Sequence, residues 1–435
     1  MKQKQKRKDK RMLRVLCFLL ALLFGGSEIP RQKEPLYVLQ TVVHTVSQPS
    51  EENTSAFVRA VWLSQFDLQP LFRDGNRQRD EKEFRFLCEQ LCETLSRDGF
   101  STVFLQMRPN GDSIGESALF PRSKYVAGAV GGTVSYDAAG VLIEVLRANS
   151  FSVHGWINPY RLMRADEIGD VPETYAVRRW YDAGNGMVKR CGDLLYFDPS
   201  YPEVRELIAE GCAELLERYP LDGIHMDDYF YPTSDESFDE KEFRKSDCTD
   251  LGDFRRENVS ALVSLLYETA HAHGAVYGIA PAGNLDSLTD GYYADIYRWL
   301  SEKGFVDYIL PQLYFGFENR YCPFDTMVSR WAEAVKLPGI SLYIGLTAAK
   351  AAQNAVDVFA GCEAGKNEWI TRKDILSRSM EVLLSEEKVS GYCFFSYSWM
   401  YDRFTGEVTD GFSEEYRLLQ PLLQADQRTG SSQTR

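Results

Sequence analysis

The chain has 435 residues, 44% hydrophobic and 13% aromatic, enough to bury a large core and to exclude a disordered polymer. A formal charge of −14 and a pI near 5.0 repel phosphate backbones. No Lys/Arg-rich stripe follows the first fourteen residues, so no nucleic-acid partner is expected.

In chain order, the basic stretch MKQKQKRKDKRMLR leads into an apolar run from Val15 to Phe24 and then Gly25, Gly26 and Ser27. That layout reads as a secretory signal over residues 1–27, with export to the cell envelope or the extracellular space. The run is half of the roughly 20 apolar residues needed to span a bilayer, so no stable membrane span is expected after cleavage. Residues 28–55, polar and with three prolines, read as a linker with one short strand around Tyr37 to Val46, and the polar tail 426–435 as disordered. Eight cysteines follow the signal without a C-x-x-C pair or a His at metal-ligand spacing. Buried free thiols are expected, and neither structural zinc nor any cofactor.

Between residues 56 and 425, short β-branched or aromatic runs alternate with longer helical patterns. The strand candidates are FVRAVWLSQF, FSTVFLQMRP, FSVHGWINPY, DGIHMDDYFY, AVYGIAPAG, VDYILPQLYF, ISLYIGLT and VSGYCFFSYS. Helical stretches such as DEKEFRFLCEQLCETLSRDG and PEVRELIAEGCAELLERYP separate them, starting with Asp or Pro as helix N-termini do. Eight strand-plus-helix units predict an α/β fold, a (β/α)8 TIM barrel with long loop insertions. A doubly wound open sheet is the rival, and no G-x-G-x-x-G follows the first strand.

Side chains alternate along a strand, so the face that meets the helices should be apolar and the other should look into the barrel. In the fourth strand Ile224 and Met226 form the apolar pair, which sends His225 and Asp227 inward. The same parity sends Gln106 and Arg108, His154, Trp156 and Asn158, Gln312 and Tyr314, and Tyr343 inward. Arg108, Asn158, Asp227, Gln312 and Tyr314 then meet at the C-terminal rim, where barrel enzymes build their sites.

The stretches RAVWLSQFD, FLQMRPNGDS, HGWINPYR, FDPSYPEVRELI, LDGIHMDDYFYP, GIAPAGN and DYILPQLYF resemble the glycosyl-hydrolase-like family ten, a bacterial group of exported barrel proteins. The resemblance implies a (β/α)8 fold, an envelope or extracellular location and hydrolysis of glycosidic bonds, with some relatives tied to peptidoglycan glycan strands. DGIHMDDYFY also faintly resembles the chitinase-type D-G-x-D-x-D-x-E strand, but Tyr229 stands where that family has its acid Glu, so its mechanism does not carry over.

Glycoside hydrolysis needs two carboxyls flanking the bond. Asp227 is the first choice for one. Asp228 and Glu318 lead for the other, ahead of Asp112 and Asp402. Arg108, Asp112, Trp156, Asn158, Tyr160, His225, Tyr229, Gln312 and Tyr314 are expected to bind a polysaccharide, since aromatic faces with polar edges suit sugar rings. Trp62, Tyr231 and Trp399 belong to the same aromatic set, of which about half is expected to touch ligand. His225 is equally readable as a satisfied core histidine. Two rival functions remain: a metal-dependent hydrolase using His225, Asp227 and Asp228, and a non-catalytic glycan-binding barrel. Oligomeric state is not readable from the chain.

Overall fold

The computed structural model of the chain describes residues 57–227 and 230–424. The signal over 1–27, the linker over 28–55 with its short strand, and the tail 426–435 lie outside the described residues, as do Asp228 and Tyr229. Among the described residues no helix is long and apolar enough to cross a membrane.

Eight parallel strands close into a barrel: β1 (Val58–Leu63), β2 (Thr102–Arg108), β3 (Ser152–Ile157), β4 (Gly223–Met226), β5 (Val276–Ile279), β6 (Tyr308–Ile309), β7 (Ser341–Thr347) and β8 (Val389–Phe395). Each pairs with the next in sequence, and β8 returns to β1 through the register Val58 with Gly391 to Val61 with Phe394. Every strand falls inside one of the eight stretches read from the sequence. Two of the intervening helices start where sequence signals place them. Asp80 accepts from the Glu83 amide while the Glu83 carboxyl accepts from the Asp80 amide, opening helix Glu81–Arg97; Pro202 opens helix Pro202–Arg218. Long insertions follow β3, where Arg161–Arg164, Val188–Cys191 and Leu194–Phe197 form a three-stranded sheet, and β4, where residues 230–250 carry the short helix Glu240–Phe243.

Alternation sorts the interior into two cores. Val61, Leu63, Val103, Leu105, Val153, Ile157, Ile224, Met226 and Ile309 belong to the large core shared with the helices. Ala60, Trp62, Phe104, Trp156, Tyr308, Leu310 and Cys393 form a separate cluster inside the barrel. The barrel is plugged by aromatic rings, as expected where eight strands leave room only for side chains.

Arg108 breaks the parity. The pairing of β2 with β3 slips between Gln106 and Arg108, so that Arg108 stands opposite Ile157, an outward position. Its guanidinium leaves the barrel, donates to the Ile208 carbonyl at 3.1 Å and to Cys212 Sγ at 3.4 Å, and lies 4.3 Å over the Phe120 ring. Gly211 makes room for it, because a Cβ there would stand 1.9 Å from Arg108 Nη1. The inward, substrate-binding reading of Arg108 is corrected accordingly.

The eight cysteines among the described residues are free thiols, five of them buried. A long-range staple joins the last two long helices. Helix Ile375–Ser385 has no side-chain cap of its own. Glu415, on the last helix Ser413–Leu423, accepts from the Ile375 amide at 2.8 Å and the Leu376 amide at 3.3 Å. Burial pushes this carboxyl from its ordinary 4.5 up to about 7, against the opposing pull of those amides. The folded chain thus holds a proton that the unfolded chain releases. This contribution to stability is full below about pH 4.5 and is lost as pH rises to about 7. The advantage in Tm of the wild type over Glu415→Gln is expected to shrink across that window in thermal melts. A difference independent of pH contradicts the assignment.

Candidate active site

A cavity of about 180 Å³ opens at the C-terminal end of the barrel. Trp62, Gln106, Trp156, Asn158, Asp227, Gln312, Tyr314 and Phe395 line it from six strands or strand ends, and Ser64, Gln65, Phe66 and Arg161 complete the rim. Asp227 is its one carboxylate among the described residues.

That carboxylate is held by a relay whose direction follows from one backbone amide. The Gln65 N–H can only donate, and it donates to Gln106 Oε1 at 2.7 Å. Gln106 must then present Nε2 to Asn158 Oδ1, at 2.7 Å, which leaves Asn158 Nδ2 to donate to Asp227 Oδ2. Gln65, Gln106, Asn158 and Asp227 come from four elements: the first turn of helix Gln65–Phe72, β2, and the ends of β3 and β4. The helix start is fixed in turn by a capping box, with Ser64 Oγ accepting from the Asp67 amide and Asp67 accepting from the Ser64 amide at 2.8 Å. Asp67 also accepts from Ser396 Oγ and the Ser398 amide, at 3.0 and 2.8 Å, which ties the rim of β1 to that of β8.

One layer below, His225 is fully buried and occupied. Trp62 Nε1 donates to its Nε2 at 3.0 Å, so the neutral ring carries its proton on Nδ1, where Tyr308 Oη sits at 3.1 Å. The Tyr308 hydroxyl then serves His154 Nδ1 at 3.1 Å. Burial holds His225 well below the usual histidine range and lowers His154 to about 4, which keeps both rings neutral. Both nitrogens of His225 are engaged within the floor of the site, and the residue does not line the cavity. The metal-dependent reading needs a free nitrogen there. No group of three His, Cys, Asp or Glu among the described residues is arranged to hold a metal ion.

Gln312 donates to the Ala280 carbonyl at 3.0 Å and lines the wall, and the Tyr314 ring stands 6.2 Å from Phe395. Trp156 lines the cavity, and its indole N–H is buried without a hydrogen-bond partner. Phe66 is 61% exposed at the mouth, with Tyr125 packed edge-on at 6.0 Å, and presents a face of the kind sugar rings stack on.

Other expected residues lie elsewhere. Tyr160 is buried in the outer core, its ring on the helix side of β3. Asp112 is sealed in its own loop, where it accepts from the Asn110 amide at 3.0 Å, and burial raises its carboxyl above the usual range. The turn at Gly111, φ +65°, folds this loop onto Leu162 instead of over the cavity. Glu318 is exposed and outside the cavity wall. Asp402 accepts from the Phe404 and Thr405 amides, both at 2.9 Å, and closes a turn. Tyr231 is buried in the loop after β4.

Sequence reasoning missed Ser64, Gln65, Phe66, Arg161 and Phe395. Ser64 and Asp67 carry the S-x-x-D spacing of a helix start right after β1, which would have placed Gln65 and Phe66 at the rim. Arg161 ends the stretch HGWINPYR and donates to the Pro109 carbonyl at 3.1 Å from the cavity edge.

A model of the glycosyl hydrolase-like 10 family matches residues 57–358, which takes in every cavity residue except Phe395. The chain belongs to the glycosyl hydrolase-like 10 family. It is 30% identical over 326 residues to the glycosyl hydrolase DigH of Escherichia coli K12, covering 68% of this chain and 74% of DigH. It is 29% identical over 342 residues to the glycosyl hydrolase YngK of Bacillus subtilis, covering 73% of this chain and 66% of YngK, just under two thirds of that relative's length. Among solved structures, the glycoside hydrolase domain of PgaB from Bordetella bronchiseptica superposes with a TM-score of 0.52 at 14% identity, over 79% of this chain and 95% of that domain. That likeness concerns the fold. Membership of the glycosyl hydrolase-like 10 family supports a glycosidase-type function.

Proposed function

We propose that the protein hydrolyses glycosidic bonds of a cell-envelope or extracellular polysaccharide, with peptidoglycan glycan strands as the first substrate to test. The reading is carried by Asp227, the one described carboxylate of the cavity wall, set among Trp62, Trp156 and Tyr314 and aimed by the relay through Asn158. A carboxylate oriented by an amide donor suits a nucleophile or a base.

The second carboxyl is assigned to Asp228. Glu318, Asp112 and Asp402 each stand outside the cavity wall, and Asp228 follows Asp227 in the chain. Action outside the cytoplasm is part of the proposal and is supported by the basic, apolar and small-residue layout of residues 1–27.

The test is incubation of the protein with purified peptidoglycan, with and without its stem peptides, followed by mass analysis of the soluble fragments. New reducing ends that persist in a chelator are the expected result. Release that stops with the chelator favours the metal-dependent hydrolase. Binding without release favours a glycan-binding barrel.

A further inference from the structure

The loops after β6 and β7 carry an exposed apolar group that the cavity does not use: Tyr321, 67% exposed, and Phe359, 85% exposed, with Val358 beside it. Such side chains on floppy loops would say little, but these loops are stitched into one block. The Glu368 carboxyl accepts from the Phe317 and Glu318 amides at 3.0 and 2.9 Å, the Arg320 amide donates to the Ala360 carbonyl at 2.8 Å, and the Phe359 amide donates to Asp357 Oδ1 at 3.2 Å. The Tyr321 ring lies on the backbone of Gly361, φ +73°, where a Cβ would stand 2.2 Å from it. Main chain therefore backs this ring on one side, and 67% of the residue stays exposed.

The block is anchored to the cavity wall itself. Lys350 Nζ donates to the Tyr314 carbonyl and to Asp357 Oδ2, both at 2.8 Å, so the wall residue Tyr314 and the Phe359 loop share one ammonium group. The cavity, about 180 Å³, is smaller than the roughly 300–1,000 Å³ that encloses a drug-sized ligand. A polymer seated at Asp227 must run out over the rim. Flat aromatic faces flanked by the exposed Glu318 and Arg320, which can meet hydroxyl groups, match a sugar chain. Their fixed geometry lowers the entropy lost on binding.

We propose that Tyr321 and Phe359 form a platform that holds sugar rings of a long glycan beyond the cavity, so that the protein distinguishes long strands from short ones. The proposal rests on the glycan-hydrolase reading above. Its test compares the wild type with Phe359→Ser and with the double variant Phe359→Ser/Tyr321→Ser. The probes are peptidoglycan glycan strands freed of stem peptides and fractionated into short oligosaccharides and long chains, together with co-sedimentation on insoluble peptidoglycan. Loss of two stacking faces is expected to raise KM for long chains about tenfold, with kcat and the short oligosaccharides unaffected. Unchanged KM and unchanged sedimentation in both variants overturn the platform, as does a wild type that binds no strand. A wild type that binds without cleaving, and loses binding in the variants, keeps the platform and removes the hydrolytic reading. Phe359→Ser alone guards against misfolding, since that ring is nearly all in solvent.

Discussion

Asp227→Asn is expected to lower kcat on the glycan substrate by about 10²–10⁴-fold, the span by which positioned acid and base groups act, with binding retained. The substitution changes little besides charge and proton affinity. Asn158 Nδ2 donates to Asp227 Oδ2, and the carbonyl oxygen of an amide at position 227 would accept the same bond, so the relay back to the Gln65 amide persists. Trp156, Gln312 and Tyr314 keep their places, and with them the surfaces proposed to hold sugar. Turnover and co-sedimentation on peptidoglycan, measured on the same preparation, separate the two quantities. Turnover equal to that of the wild type would remove Asp227 from the chemistry. Parallel loss of binding and turnover would make it a binding residue only.

The strand alternation that delivers Asp227 to the cavity was legible because each barrel strand is bordered by two different media. Ile224 and Met226 pack under the helices while His225 joins the inner aromatic cluster, and the same division runs through Val153, Trp156 and Ile157 on β3. Arg108 was misread for one reason, the slip in pairing after Gln106, which changes parity without any mark in composition. Tyr160, two residues beyond Asn158, was misread because alternation stops where the strand does; its side chain returns to the outer core. The loop carboxylates Asp112 and Glu318 depended on turn geometry, which neighbouring elements set: Leu162 under Gly111, and Glu368 under the Phe317 and Glu318 amides. The engagement of His225 by Trp62 and Tyr308 joins three strands, so no single stretch of chain announces it.

The segment that leaves the cavity after β4 is secured by an ion pair, and breaking that pair carries the largest expected effect on stability. Arg255 and Asp239 are both 0% exposed and meet through two bonds, Nε to Oδ2 at 2.9 Å and Nη2 to Oδ1 at 2.6 Å. Tyr231 also donates to Asp239, while Arg255 donates to Tyr293 Oη at 2.9 Å and to the Asp235 carbonyl at 2.7 Å, with its guanidinium about 5 Å over both tyrosine rings. Helix Leu251–Ala272 thereby fixes residues 231–239, four to twelve positions beyond Asp227. Arg255→Ala strands a buried carboxylate and is expected to cost about 3–5 kcal/mol in chemical denaturation. Asp239→Leu strands the guanidinium with a similar loss. If the penalty comes from the uncompensated charge, the double variant Arg255→Met/Asp239→Leu should regain much of what either single change loses, because neither charge remains to be desolvated. A double variant as unstable as the sum of the two would instead assign the loss to the Tyr293 and Asp235 contacts. Recovery of stability without recovery of turnover would mean that these same contacts aim the loop that follows Asp227.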